Sequence, residues 1–135
     1  MEHENLETIN KFFEAYSRHD QEGIKKVLDE NAKWIFPGRN PFSGTKEGVE
    51  EIIAFFDKMG EFIGRFKAKS QSLITGVNEN YIVEGQYIYL NGENGAELEH
   101  HWCVLWKFEG GKITEGKHFA EDQYKVDEFF TTHFK

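Results

Sequence analysis

Cysteine, arginine and proline are the scarce residues of this chain, and each scarcity narrows what the protein can be. A lone cysteine, Cys103, excludes an internal disulfide framework. Three arginines (Arg18, Arg39 and Arg65) against a formal net charge of −8 leave no basic stripe to follow a phosphate backbone, so no nucleic-acid partner is expected. The same charge is repelled by an anionic membrane surface, and no apolar run approaches the roughly 20 residues of a spanning helix. The opening residues, Met1-Glu2-His3-Glu4-Asn5, are acidic and lack the basic-then-apolar layout of a secretory leader, which makes the cytoplasm the expected location. Proline is confined to Pro37 and Pro41, which with Gly38 and Gly44 mark a single loop.

What the chain has in excess is ring surface. Aromatic residues make up 16% of its 135 residues, and thirteen of them are Phe. That much flat apolar surface in so short a chain implies a core built on rings or a cavity lined by them. The length suits one domain over residues 1–135, and no repeat, low-complexity tract or linker divides it.

The apolar spacing gives an order of elements. Leu6, Ile9, Phe13 and Tyr16 recur at helical spacing and predict a helix over 5–18. Asp20 suits the N-cap of a second, short helix carrying Ile24, Val27 and Leu28. A strand follows at 32–36, then the loop. Thr45 is a candidate N-cap for a third helix bearing Val49, Ile52, Ile53 and Phe56 and ending near Gly60. Beyond it the period changes to two, with strands expected at 62–75, 80–90, 97–109 and 112–120. Asn91-Gly92 and Asn94-Gly95 fall in one turn, Gly110-Gly111 form a tight hairpin, and Asp122 suits the cap of a last helix with Val126, Phe129 and Phe130. The predicted fold is α+β, with helices packed on one face of a curved antiparallel sheet.

Two stretches carry a family resemblance. Trp34-Ile35-Phe36-Pro37-Gly38-Arg39-Asn40-Pro41-Phe42-Ser43-Gly44, with Phe55-Phe56 on the following helix, resembles the SnoaL-like (polyketide cyclase-like) branch of the nuclear-transport-factor-two-like, ketosteroid-isomerase-like superfamily. Gly111-Lys112-Ile113-Thr114-Glu115, with Phe119 to Tyr124 and Asp127-Glu128-Phe129-Phe130, is similar to the last strand and tail helix of the same branch. The resemblance implies a cystatin-like cone with helices on the concave face of the sheet, a homodimer, and a pocket for a small molecule. It fixes no reaction, because the superfamily holds isomerases, cyclases, dehydratases, epoxide hydrolases and non-catalytic modules. The positions matching the polar residues of the ketosteroid isomerases are Phe12, Phe36 and Val104, all apolar, which argues against steroid isomerisation. Arg65 is the one candidate for the middle member of the Asp-Arg-Asp relay of limonene-type epoxide hydrolases, and no pair of aspartates accompanies it. Among the cyclases the catalytic acid lies late in the last strand, where the matching residue is Glu121.

The residues themselves offer several candidates. A carboxylate inside an aromatic pocket has its charged form disfavoured, which suits Glu121 to proton transfer. His118 and His101 are its candidate partners, with Arg39 or Tyr16 as anion stabiliser; solvated or structural roles stand beside each of these readings. Trp34, Phe36, Phe55, Phe56, Phe62, Tyr87, Trp102 and Trp106 are candidate pocket walls, and Tyr16, Glu84 and Gln86 candidate polar groups within them. A metal site of His118 with Glu99 or Glu121 has no ligand spacing behind it, and proton abstraction beside a carbonyl needs no cofactor. On the fourth strand Leu98, His100, Trp102, Val104, Trp106 and Phe108 share one face and His101, Cys103, Leu105 and Lys107 the other. Both faces hold apolar residues, so one is expected to meet the helices and the other a second subunit. The expected function is binding of a small apolar molecule, with acid-base lyase, isomerase or cyclase chemistry or a non-catalytic dimeric module as its two forms.

Overall fold

The computed structural model describes residues 2–134. Helix α1 (Glu2–Ser17) carries Ile9, Phe12 and Ala15 on its buried stripe, and α2 (Gln21–Val27) starts where the Asp20 side chain accepts the Gly23 N–H at 3.0 Å. Strand β1 (Leu28–Phe36) begins four residues earlier than its apolar pattern suggests, because Leu28 leaves the helix and pairs beside Ile113. Strand β2 (Gly44–Glu47) occupies the place where Thr45 was expected to cap a helix. Its backbone pairs antiparallel with β1, Ile35 opposite Thr45, and this long-range ladder overrides the local capping signal. Helix α3 (Gly48–Ile63) starts after Glu47 instead, and the Glu51 side chain accepts the Glu47 N–H at 2.9 Å.

The predicted strand from residue 62 is also corrected. Phe62 is the last buried residue of α3, and β3 (Lys67–Val77) starts only after the chain has turned at Gly64. Strands β4 (Tyr81–Asn91), β5 (Glu97–Glu109) and β6 (Lys112–Ala120) follow, with Gly110 and Gly111 both at positive φ (59° and 79°) in the β5–β6 turn. Helix α4 (Gln123–His133) is capped by Asp122, which accepts the Lys125 N–H at 3.2 Å.

The strands form one sheet in the order β2-β1-β6-β5-β4-β3, antiparallel except where β1 lies parallel to β6. This is the α+β cone: α1 and α3 lie across the inner face of the sheet and α4 folds back under its end, where Phe129 and Phe130 pack with Phe62, Phe66 and Phe42. Strand β3 is the open edge, exposed along nearly its whole length. No helix among the described residues is long and apolar enough to cross a membrane.

Candidate functional site: an aromatic chamber under the sheet

Strand parity sets the chamber. Pairing places Glu84 beside Val104 and Val104 beside His118, so three strands offer these side chains in one inward row. The neighbouring rows are Gln86, Trp102 and Ala120 on one side, and Ile82, Trp106 and Gly116 on the other, the last meeting Trp34 on β1. Gly116 is there because the Trp34 ring lies against it: a Cβ at Gly116 would stand 2.0 Å from Trp34 Cζ3. Against these rows α1 sets Ile9, Phe13 and Tyr16, and α3 sets Phe55, Phe56, Met59 and Ile63. Between sheet and helices remains a cavity of about 460 Å³, within the usual range of small-molecule sites.

The polar groups of the wall differ in how they are satisfied. Trp106 Nε1 donates to Glu84 Oε1 at 2.9 Å, and Trp102 Nε1 donates to Gln86 Oε1 at 2.8 Å. Tyr16 donates its hydroxyl to Asp57 at 2.7 Å, and the loss of solvent together with that carboxylate pushes its pKa up to about 12. His118 has no such partner. Its ring sits among those of Phe36, Trp102, Trp34 and Phe55, at centroid distances of 4.9, 5.2, 5.6 and 6.4 Å. It keeps some accessible surface in the cavity wall, yet both ring nitrogens are sealed and bonded to nothing, and the same is true of Trp34 Nε1. Burial, with a smaller contribution from the Lys46 ammonium, brings the His118 pKa down to about 3, so the imidazole is neutral at physiological pH. Lys46 itself donates to the carbonyls of Phe42 and Gly44 and lies over the Phe55 ring, its pKa lowered by burial and by Lys58.

The structure therefore gathers Tyr16, Trp34, Phe55, Phe56, Glu84, Trp102, Trp106 and His118 around one cavity. Phe36 stands behind His118 in the core rather than in the wall. Other candidates also lie outside the chamber. Glu121 follows the end of β6 and is exposed on the far side of the sheet, where it accepts the His101 backbone N–H at 3.3 Å and lies 3.4 Å from His101 Nδ1; these contacts lower its pKa, the reverse of what a buried base would show. His101 points outward with it, against Tyr87. Tyr87 is on that outer face too, donating to Glu99 at 2.8 Å, because odd positions of β4 face away from the helices. Arg39 is exposed on its loop beside Asp127, held away from the cavity by the turn at Gly38. Of the remaining candidates, Phe62 belongs to the α4 cluster and Arg65 donates to the carbonyls of His133 and Phe134. No group of metal-ligating side chains occurs among the described residues.

Sequence reading left Met59 and Ile63 unnamed and assigned Ile9 and Phe13 only to a buried stripe. Their helical spacing marks them as inward, and nothing in that spacing separates a packed core from a cavity wall.

Known proteins match this architecture. The SnoaL-like domain family matches residues 9–116. The chain belongs to the SnoaL-like family. Among solved structures, this SnoaL-like chain is similar to Bal32a from a soil-derived mobile gene cassette, at 27% identity over 95% of this chain and 97% of that one, with a TM-score of 0.75. It shares the fold of an NTF2-like protein from Burkholderia xenovorans (19% identity, 96% and 98% covered, TM-score 0.78). It also shares the fold of TerC, co-crystallised with polyporic acid (18% identity, 94% and 98% covered, TM-score 0.72). Comparison with curated protein sequences finds no match.

Proposed function

We propose that this SnoaL-like domain binds a small apolar molecule in the chamber between α1, α3 and the sheet. The observation that carries the reading is His118: a neutral imidazole with two unbonded nitrogens, set in a ring-lined wall beside a cavity large enough for a ligand. Native folds leave few buried polar groups unpaired, and those they keep call for an explanation. The co-crystallisation of TerC, which has the same fold, with polyporic acid supports the reading. The test is titration with the uncharged fluorophore N-phenyl-1-naphthylamine. Saturable emission enhancement is expected from the native protein, and none from Val104→Trp, which fills the middle of the inward row. A native protein that gives no saturable signal would refute the proposal.

In its catalytic form, as a cofactor-independent lyase, isomerase or cyclase, the chamber has one carboxylate in its wall to act as base, Glu84, since Glu121 lies outside.

The outer face supports a second element of the reading, a homodimer. Ile74, Gly85, Cys103 and Phe119 are aligned across four strands, and Gly76, Val83, Leu105 and Lys117 form the next row. Ile74 is 71% exposed and Phe119 50%, an apolar strip that a soluble monomer rarely leaves uncovered. The strip is flanked by Lys107 and Lys117 and by Glu99 and Glu121, so a second copy turned about a two-fold axis sets opposite charges around a shared apolar centre. Sedimentation at micromolar concentration is expected to give a dimer that Ile74→Lys converts to monomer; a monomeric native protein would rule it out.

A further inference from the structure

We infer that Gly60 is the sill of the chamber's entrance, which lies between α1 and α3, and that the missing side chain there sets the girth of the molecule admitted. This rests on the reading that the chamber binds a small apolar molecule and adds the residue that selects by size.

Exposure marks the mouth. The strand residues that line the chamber are buried or half-buried, and the exposed members of its wall are Asn10 and Phe13 on α1 and Gly60 on α3. Phe13 is 41% exposed, although its ring also meets those of Trp106 and Phe56, at 5.7 and 6.1 Å between centroids. Tyr16 donates its hydroxyl to the exposed Asp57 at 2.7 Å and so ties α1 to α3 at one end of the slot. Beyond that bond α1 presents Phe13 and Asn10 to the chamber, and α3 presents Gly60 and Ile63.

Neither backbone conformation nor close approach requires glycine at this position. Gly60 lies within the helical span of α3, is not among the glycines at positive φ, and its carbonyl accepts the Gly64 N–H at 2.9 Å as in a regular helix. A Cβ there would meet nothing within 4 Å, the reverse of Gly116, where the Trp34 ring lies against the backbone. Glycine is the weakest helix former after proline, so at this position it weakens α3 with no packing reason behind it. What residue 60 does have is a place in the wall between Phe56, one turn before, and Ile63, one turn after. Helical side chains lean toward the preceding turn, so one at 60 would lie over Phe56 and toward Phe13, across the mouth. Without it the gap between the two helices stays open.

The experiment is stopped-flow mixing, which reads both rate constants for N-phenyl-1-naphthylamine by its emission and for the slimmer naphthalene by quenching of tryptophan. A lost wall contact acts mainly on dissociation, whereas a narrowed mouth slows entry and exit together. Gly60→Leu is expected to slow both rates for N-phenyl-1-naphthylamine by about tenfold, with Kd within about threefold of the native value, and to slow naphthalene less. Its urea midpoint is expected at or above the native one, because leucine favours the helix. Glu61→Leu adds the same side chain at the next, exposed position of α3 and is expected to keep the native rates. Native rates in Gly60→Leu, a loss of affinity with association unchanged, or equal slowing of the two probes would each overturn the inference while leaving the chamber as a binding site. If Gly60→Leu does not fold, Gly60→Gln, which is of similar length and also favours the helix, decides by the same rates. If the native protein binds neither probe, the chamber reading falls and this inference with it.

Discussion

The two faces of strands β4, β5 and β6 are built from alternate residues of the same sequence, yet they treat polar groups in opposite ways. On the inner face Glu84, Gln86 and His118 are set among rings, and the imidazole is held neutral by burial. On the outer face Tyr87, His101 and Glu121 reach solvent and bond to one another's backbone or to Glu99, and the Glu121 carboxyl is held below its usual range. His100 shows the same rule from the inside: it is buried, but its Nε2 accepts the Asp122 N–H at 3.1 Å, so it has the partner that His118 lacks. Residue type alone does not make an acid-base group. The side of the sheet it faces, and whether that side supplies a partner, decides.

The contrast can be broken most severely at Gly116. Gly116→Ala places a methyl group against the Trp34 ring at 2.0 to 2.6 Å, and is expected to destabilise the fold by about 3 kcal/mol or more in urea unfolding, with loss of probe binding. A substitution to Ala at Gly60, where a Cβ meets nothing within 4 Å and the backbone is helical, is expected to leave the fold no less stable and separates ring contact from loss of glycine as such.

Acid separates the faces next. A base whose folded pKa lies below its unfolded value contributes stability in full above the unfolded pKa and loses it as pH falls toward the folded one. For His118 that window runs from 6.5 down to about 3. Its contribution to the loss at pH 4.5 is about 2 to 3 kcal/mol. Denaturant midpoints measured from pH 7 to pH 4.5 are expected to fall, and to fall less in His118→Phe. Glu121 has the same sense in a lower window, with stability present above its ordinary 4.5 and lost as pH drops through its lower folded value. Glu121→Gln is therefore expected to leave the pH 7 to 4.5 profile as it is.

Smaller effects sharpen the same point. Glu84→Leu removes the acceptor of Trp106 Nε1 and is expected to cost about 1 to 2 kcal/mol, whereas Trp106→Phe in the Glu84→Leu background should add less than it does alone, the signature of one shared bond in a double-mutant cycle. Least of all, Glu121→Gln is expected to leave the urea midpoint at pH 7 and probe binding unchanged. A loss of binding in that variant would place the outer carboxylate in the site after all.

Much of the fold was legible in local signals. Asp20 and Asp122 cap the helices their side-chain chemistry suits, and the Gly110-Gly111 turn takes the two positive φ angles that a tight hairpin requires. The resemblance of Trp34 to Gly44 and of the last strand and tail helix led to the SnoaL-like family. What failed did so where distant chain intervened: β2 is a strand because β1 lies beside it, although Thr45 reads as a cap, and α3 runs on through Phe62 because that ring is buried among Phe42 and Phe130. For the site, the composition told of abundant rings and the inward parity of β5 placed Trp102, Val104 and Trp106 together. Parity also set His118 and Glu121 on opposite faces, without saying which of them was inside.

The sequence by itself determined the order of elements, the alternation of faces and the excess of aromatic surface, because these depend on residues a few positions apart. The tertiary structure alone decided that His118 rather than Glu121 faces the chamber, that Trp34 and His118 are left without partners while Trp102 and Trp106 are not, and that the rings of α1 and α3 stop short of closing the space. Those outcomes depend on which strands and helices meet across the fold, and a hydrogen-bond partner or a cavity exists only between segments that have met.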